Sequence, residues 1–413
     1  MRLLIITGKF PGASNDMDGG SIMVSHLIET MSRLGLLDIV FTRTYNVEYA
    51  VIPKVNKVMF HTCKERDENK FSRRLKNIGH NATFFASVFQ QYDRVAIVHC
   101  SKAFGLEDVL GKEELNKIIL FPMFLTPSYS MSGEHVPCDY ELAERSILKH
   151  IPLIVTPSYE EKEELKDHYS VPEQRIRLIP RGISPLICNN GTRSNKSNHL
   201  LYIASIKKQK SPLEAIKLIM MLRNRGVPVK LTIAGRIQEP DLYEKCLSLM
   251  ESQGLSSQIT IKGVLSQADL ATLINEVDIN ISLSKWETFG RGIVEGLCGG
   301  LPTVVMDTVT CLKDFLDDEC GLVYSNGLDS MADEVEKLLT DDSYYGKRVS
   351  QTRKAFGLFS FEKECRRLTR LFVPTPNNQR LYENKGNAGF RNTSGSNQNV
   401  SIGTGTEKAF KEI

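Results

Sequence analysis

The 413-residue chain has one tryptophan, a formal net charge of only +3, no CxxC pair and no long apolar run. The last three shortages each remove a class of function. A charge this small gives no chain-wide basic field of the kind that non-specific nucleic-acid binding rests on, so no nucleic-acid partner is expected. No window approaches the ~18 uninterrupted apolar residues of a membrane-spanning helix. Residues 1–7 are apolar but run straight into a polar, glycine-rich loop, too soon for a signal-peptide core, so a cytoplasmic location is expected. The nine cysteines stand singly, without the His/Cys spacing of a zinc site, and read as reduced thiols. Neither a disulfide framework nor a metal is expected.

What is present is an ordinary globular composition, 41% hydrophobic and 24% charged. The length exceeds the ~250–300 residues at which single cores stop growing, so two domains are expected. Short apolar runs at 3–7, 39–42, 58–61, 95–99, 118–121 and 153–155, and again at 200–203, 230–234, 259–262, 279–283, 303–305 and 322–324, alternate with helical periodicity, clearest at 21–34, 212–225 and 267–276. This is the pattern of parallel sheets covered by helices, hence an α/β fold with two Rossmann-like halves. The polar interval 188–198 reads as a linker between a first domain at 1–187 and a second at 199–358. A helix near 361–372 closes the second run within the segment 359–373, and 374–413, rich in Asn, Gly, Ser and Thr, has the composition of a disordered tail.

The most informative stretch runs Ser284-Lys-Trp-Glu-Thr-Phe-Gly-Arg-Gly-Ile-Val-Glu-Gly-Leu-Cys-Gly-Gly-Leu-Pro302, just after a strand. It sets Glu287 and Glu295 eight positions apart, with a helix expected to begin near Gly290. Glu295 then lies about one and a half turns into the helix and Glu287 at its mouth. Free N–H groups and the positive dipole end suit a phosphate there, with carboxylates on either side to accept hydrogen bonds from vicinal hydroxyls.

This segment resembles the Glu-x7-Glu motif of glycosyltransferase family 4, the retaining GT-B glycosyltransferases, including its Glu-x-Phe-Gly opening and following Gly-Leu-Pro. The resemblance implies a GT-B architecture, two Rossmann-like domains facing across a cleft, with the final helix near 361–372 crossing back to the first domain. It implies transfer of a sugar from a nucleoside diphosphate sugar, a UDP-sugar by preference, to an acceptor hydroxyl with retained configuration and without a metal or other cofactor. By the same resemblance Glu287 contacts the donor sugar, Phe289 and Gly290 face the sugar and diphosphate, and Glu295 holds the ribose.

Further matches follow. In Leu201-Tyr-Ile-Ala-Ser-Ile-Lys-Lys-Gln-Lys-Ser211, Lys210 fits a lysine that meets the donor phosphates, but the Gly-Arg pair of relatives reads Ala204-Ser205. The guanidinium expected at Ser205 is missing, which leaves Lys207, Lys208, Arg236 and Arg291 as candidates for phosphate neutralisation. Gly263 resembles the glycine beside the nucleotide base. Gly19 and Gly20 resemble the glycine pair that brings backbone N–H groups to the cleft; their loop is not GxGxxG, which argues against a dinucleotide. His99, at the carboxyl end of a strand, is a catalytic candidate with Glu287 and Lys210. Met123 stands near the place where many relatives carry a reaction-centre histidine, so the acceptor stays open: a glycan, a lipid-linked molecule or a small molecule. The basic stretch 64–76, with Phe71 and Leu75 interleaved, reads as a solvated helix in preference to a membrane-surface contact. Two other activities fit the same architecture: nucleotide-sugar epimerisation, and sugar-nucleotide or glycan binding without turnover.

Overall fold

The computed structural model describes residues 1–10, 19–42, 52–62, 64–187, 196–316 and 319–373. Among these, the first sheet contains β1 (Arg2–Thr7), β2 (Leu36–Phe41), β3 (Lys57–Phe60), β4 (Arg94–Val98), β5 (Ile118–Phe121), β6 (Ile154–Thr156) and β7 (Ile176–Leu178). The second contains β8 (His199–Ile203), β9 (Lys230–Ala234), β10 (Ile259–Lys262), β11 (Ile279–Ser282), β12 (Thr303–Met306) and β13 (Leu322–Ser325). Every recorded strand pairing is parallel. The fold is GT-B, as the resemblance implies. The short β7 has no counterpart among the strands expected from sequence. The expected linker falls largely at 188–195, outside the described residues, as does the expected tail.

Continuous apolar strands follow from burial on both faces. Leu3 and Ile5 pack with Met23 and Leu27 of the helix Gly19–Met31, while Leu4 and Ile6 turn to the opposite face with Phe85 and Phe89 of the helix Ile78–Phe89. In the second sheet Leu200 and Tyr202 face Ile216 and Ile219, whereas Leu201 faces Val294 and Leu297. Alternate residues of one strand thus serve two helical layers.

The strand orders are 3-2-1-4-5-6-7 and 10-9-8-11-12-13. Each reverses direction of travel at its centre, between β1 and β4 and between β8 and β11. In open parallel sheets the loops leaving such a point splay apart and leave a crevice for a ligand. The loops after β1, β4, β8 and β11 line one cleft of about 1300 Å³.

A helix at Phe361–Phe372 follows the second sheet but packs on the first. Its Leu368 and Phe372, both fully buried, join Leu3, Ile5 and Leu27, each worth roughly 1.5–3 kcal/mol in removed apolar surface. Entry is fixed by Ser360, whose hydroxyl accepts from the Lys363 amide, and by Ile183, whose N–H donates to the Phe359 carbonyl at 2.7 Å. Glu364 accepts from His26 Nδ1–H at 2.6 Å and from the Gly182 N–H at 2.8 Å, tying this helix to the first domain.

Candidate functional site

The helix Arg291–Cys298 stands on the carboxyl ends of β8 and β11. Gly290 begins it at φ 70°, a conformation that favours glycine. Within the helix, a Cβ at Gly292 would lie 2.3 Å from the Ile203 carbonyl oxygen and one at Gly296 2.3 Å from Asn280 Nδ2. Only glycine lets the helix settle this low, and its free N–H groups consequently open into the cleft.

The loop after β8 is held against the loop after β11. Lys285 N–H donates to the Gln209 carbonyl at 2.9 Å, and Gln209 Nε2 donates to the Trp286 carbonyl at 2.8 Å. Tyr202, at the end of β8, donates its hydroxyl to the Lys210 carbonyl. This lacing brings the Lys210 ammonium onto the Glu287 carboxylate, with side-chain exposures of 15% and 12%. A ligand entering the cleft can therefore reach both. Trp286 meets Phe124 of the first domain edge-on at 5.9 Å, which joins the two walls.

Glu295 is buried, and Arg291 Nε donates to it at 3.0 Å. Burial pushes the Glu295 carboxyl up, while Arg291 works in the opposite direction. Arg291 also reaches the Gly182 carbonyl at 3.4 Å, and its Cδ lies 4.0 Å from where a Cβ at Gly19 would stand. It is thus committed to Glu295 and to the domain boundary.

Gly19, Gly20, Ser205, Lys207, Lys208, Lys210, Arg236, Glu287, Phe289, Gly290, Arg291 and Glu295 all line the cleft, and so does His99. Gly263 does not; its neighbours Val264 and Leu265 do. A Cβ at Gly263 would meet nothing within 4 Å, so close backbone approach does not require glycine there. The loop joining β1 to Gly19 falls at 11–18, outside the described residues.

His99 adopts φ 87° and has both ring nitrogens occupied. Nδ1 accepts from the Ser101 N–H at 3.2 Å, which in a neutral ring leaves the proton on Nε2 for the Tyr129 hydroxyl at 2.9 Å. Arg74 donates to Tyr129 and Tyr140, and burial pushes the Tyr129 phenol up. Met123 lines the cleft beside this cluster at φ 71°. In the basic stretch, the helix Lys70–Lys76 turns Phe71 into the first-domain core with Leu75 packed against it. The two residues that would have entered a membrane point inward.

Two residues that the sequence did not single out also line the cleft: Glu161, at the third position of the helix Tyr159–Asp167, and Arg181, just beyond β7. Both are buried, at 2% and 8% exposure. The signal available was Ser158-Tyr-Glu-Glu161, a capping-box sequence. Among the described residues no group of three or more His, Cys, Asp or Glu side chains is placed to hold a metal, and no helix is long and apolar enough to cross a membrane.

Residues 188–355 match the Glycosyl transferases group 1 family. Among curated proteins, the chain is 25% identical over 223 residues to a D-inositol 3-phosphate glycosyltransferase of Paenarthrobacter aurescens, covering 51% of this chain and 54% of that protein. It is 26% identical over 172 residues to the GDP-mannose:cellobiosyl-diphosphopolyprenol alpha-mannosyltransferase of Xanthomonas oryzae, covering 41% and 44%. The chain thus spans about half the length of these relatives. Among solved structures, a sucrose-phosphate synthase from Thermosynechococcus elongatus aligns with a TM-score of 0.73 at 16% identity, covering 90% of this chain and 98% of that one. The HepE protein of Anabaena in complex with UDP-glucose aligns at 0.70 and 13% identity, covering 90% and 99%. The chain has a GT-B fold, and its second sheet, with the Glu287–Glu295 helix mouth, lies wholly within the stretch that matches Glycosyl transferases group 1.

Proposed function

We propose that this chain is a cytoplasmic, retaining glycosyltransferase that moves a sugar from a nucleoside diphosphate sugar, a UDP-sugar by preference, to an acceptor hydroxyl in glycan, cell-envelope or natural-product synthesis. The observation that carries the reading is the convergence of Lys210, Glu287, Glu295 and the Gly290 helix mouth in one interdomain cleft. Similarity to glycosyltransferases over the second domain supports it, as does likeness of fold to a UDP-glucose complex.

In this reading the bond between the anomeric carbon and the diphosphate oxygen breaks first. Lys210 and the helix N–H groups stabilise the departing charge, and the acceptor oxygen bonds to the anomeric carbon on the same face. The acceptor proton passes to the diphosphate. Preorganised donors of this kind are worth about 10²–10³ each in rate where they have been removed singly. Arg236 and Lys207 add positive charge where Ser205 supplies none. His99, with both ring nitrogens engaged, acts by orienting Tyr129 rather than by taking the proton. No metal is called on, so a chelator should leave turnover unchanged.

The test is incubation with a panel of nucleotide sugars while free nucleoside diphosphate is followed. Slow donor hydrolysis, lost in Glu287→Ala, supports the reading. Donor affinity and turnover unchanged in both Glu287→Ala and Glu295→Ala would falsify the site assignment. Ser205 and Met123 favour one alternative, a sugar-nucleotide binder without turnover, which the same panel reveals as binding with no diphosphate release.

A further inference from the structure

The basic stretch 64–76 borders the cleft. Of the residues between 62 and 134 that line the cleft, Arg66, Lys70, Arg73, Arg74 and Lys102 are cationic, and only Glu65 and Glu134 are acidic. A chain with a formal net charge of only +3 thus carries an excess of three cations on this wall alone. The acids near these cations are largely spent. Glu134 is taken by Lys70 at 2.5 Å, and Asp67 by Lys76 at 2.8 Å, while Arg73 reaches the Asp67 carbonyl at 3.0 Å. Among the described residues Arg66, Arg73 and Arg74 form no ion pair.

Arg74 is the member whose geometry the core fixes. Its Nη1 donates to the Tyr129 hydroxyl at 3.0 Å and to the Tyr140 hydroxyl at 2.8 Å. Both phenols are buried, with their rings packed edge-on against Phe71. Nε and Nη2 make no hydrogen bond among the described residues, and neither is sealed from solvent. Their N–H groups lie parallel along one edge of the guanidinium, the fork that grips two oxygens of a carboxylate or phosphate. A guanidinium only donates, so its ligand must accept. A neutral hydroxyl offers the fork one oxygen; an anion offers two and cancels the charge.

We propose that the open fork of Arg74, with the charges of Arg66, Arg73 and Lys102 on the same wall, binds an anionic group, a phosphate or carboxylate, carried by the acceptor. Calling the ligand an acceptor rests on the glycosyltransferase reading; the anion site does not. Ring contacts connect the site to the donor loop. Tyr129 meets Phe124 at 5.7 Å, and Phe124 meets Trp286, the residue before Glu287, at 5.9 Å. An acceptor anchored at Arg74 can therefore extend a hydroxyl along these rings toward Glu287.

The experiment uses the full chain saturated with UDP, which fills the donor phosphate site, and follows saturation-transfer NMR of glucose 6-phosphate and glucuronate, with glucose as the neutral control. At least one of the anions should bind about tenfold or more tightly than glucose, and inorganic phosphate should displace it. Tighter glucose 6-phosphate supports the proposal with a phosphate as the anion, tighter glucuronate with a carboxylate. Binding should weaken about tenfold or more in Arg74→Met and recover little in Arg74→Lys, which keeps the charge without the fork. Because Arg74 also holds two buried phenols, a second variant combines Arg66→Gln with Arg73→Gln, neither of which touches those phenols. It should weaken anion binding about threefold or more and leave glucose as it was. Anions that bind no more tightly than glucose, no displacement by inorganic phosphate, or affinity unchanged in a folded Arg74→Met or in the double variant overturns the proposal. UDP binding measured alone keeps the two readings apart: if UDP fails to bind the parent chain, the donor reading falls while the anion result stands.

Discussion

Replacing Glu364 with alanine should loosen the first domain, although residue 364 follows the second sheet in sequence. The side chain is 1% exposed and receives hydrogen bonds from His26 and the Gly182 amide, with Arg181 at 3.8 Å. Alanine leaves a buried guanidinium without its counter-charge and a buried N–H without its acceptor. Severing one side of a buried charge pair costs about 3–5 kcal/mol, and the Gly182 amide belongs to the same network, so its ~1–3 kcal/mol is not added on top. For a cooperative unit of 150–250 residues each kcal/mol moves the melting temperature by roughly 2–4 °C, which gives a fall of about 10 °C. Glu364→Gln, which keeps an acceptor but not the charge, should fall in between. Acidification supplies an internal control. Burial alone would push the Glu364 carboxyl up, but the His26 hydrogen bond and charge, together with Arg181, hold it below its ordinary value of 4.5. A carboxyl depressed in the fold stabilises above its unfolded pKa and loses that contribution as pH falls through the folded one. The gap between parent and Glu364→Ala should therefore be widest at neutral pH and close in acid. Calorimetry at both pH values decides it, and a shift under about 2 °C at neutral pH, or one that acid leaves unchanged, refutes the argument.

Lys210→Met should weaken UDP binding by about tenfold to a hundredfold, the loss of a charge-assisted contact to phosphate; titration calorimetry showing less than a twofold change would remove Lys210 from the phosphate site. Gly292→Ala places a Cβ against the Ile203 carbonyl, which belongs to the backbone and cannot swing away. It should cost about 1–3 kcal/mol and weaken UDP binding as the helix mouth lifts, both measurable on one sample. Glu164 is pushed up to about 7 by burial, with Glu144 and Glu160 adding to the effect. The unfolded chain releases that proton first, so stability should decline as pH rises from about 4.5 to 7 and flatten above. Glu164→Gln should make that decline shallower in thermal melts, the raised carboxyls of Glu161 and Glu295 keeping their share, and an unaltered slope would assign it wholly to other groups.

The apolar runs revealed most of both sheets because a strand buried on both faces must be apolar throughout. The three-residue β7 escaped because its period is too short to register. The Glu287–Glu295 segment was legible since turn, helix mouth and both carboxylates lie within one stretch of chain. Glu161 was not. In Tyr159-Glu-Glu-Lys-Glu-Glu-Leu165 it reads as one more charge on a solvated helix, and only in the fold, where that helix lies against β6 and β7, is it buried. The contact between Glu364 and His26 was equally hidden, because 338 residues separate them and neither sits in a recognisable local pattern.

The returning helix also sets the order in which the molecule can be completed. During synthesis the first sheet emerges early, yet the surface over Leu3, Ile5 and Leu27 stays uncovered until Leu368 and Phe372 leave the ribosome. The domain begun first is finished last. For anyone wishing to study the halves separately, a cut in the linker would leave an N-terminal fragment with an open apolar face, and a C-terminal fragment bearing an orphan amphipathic helix. Supplying 361–372 to the first fragment as a fused segment is the rational way to divide this protein.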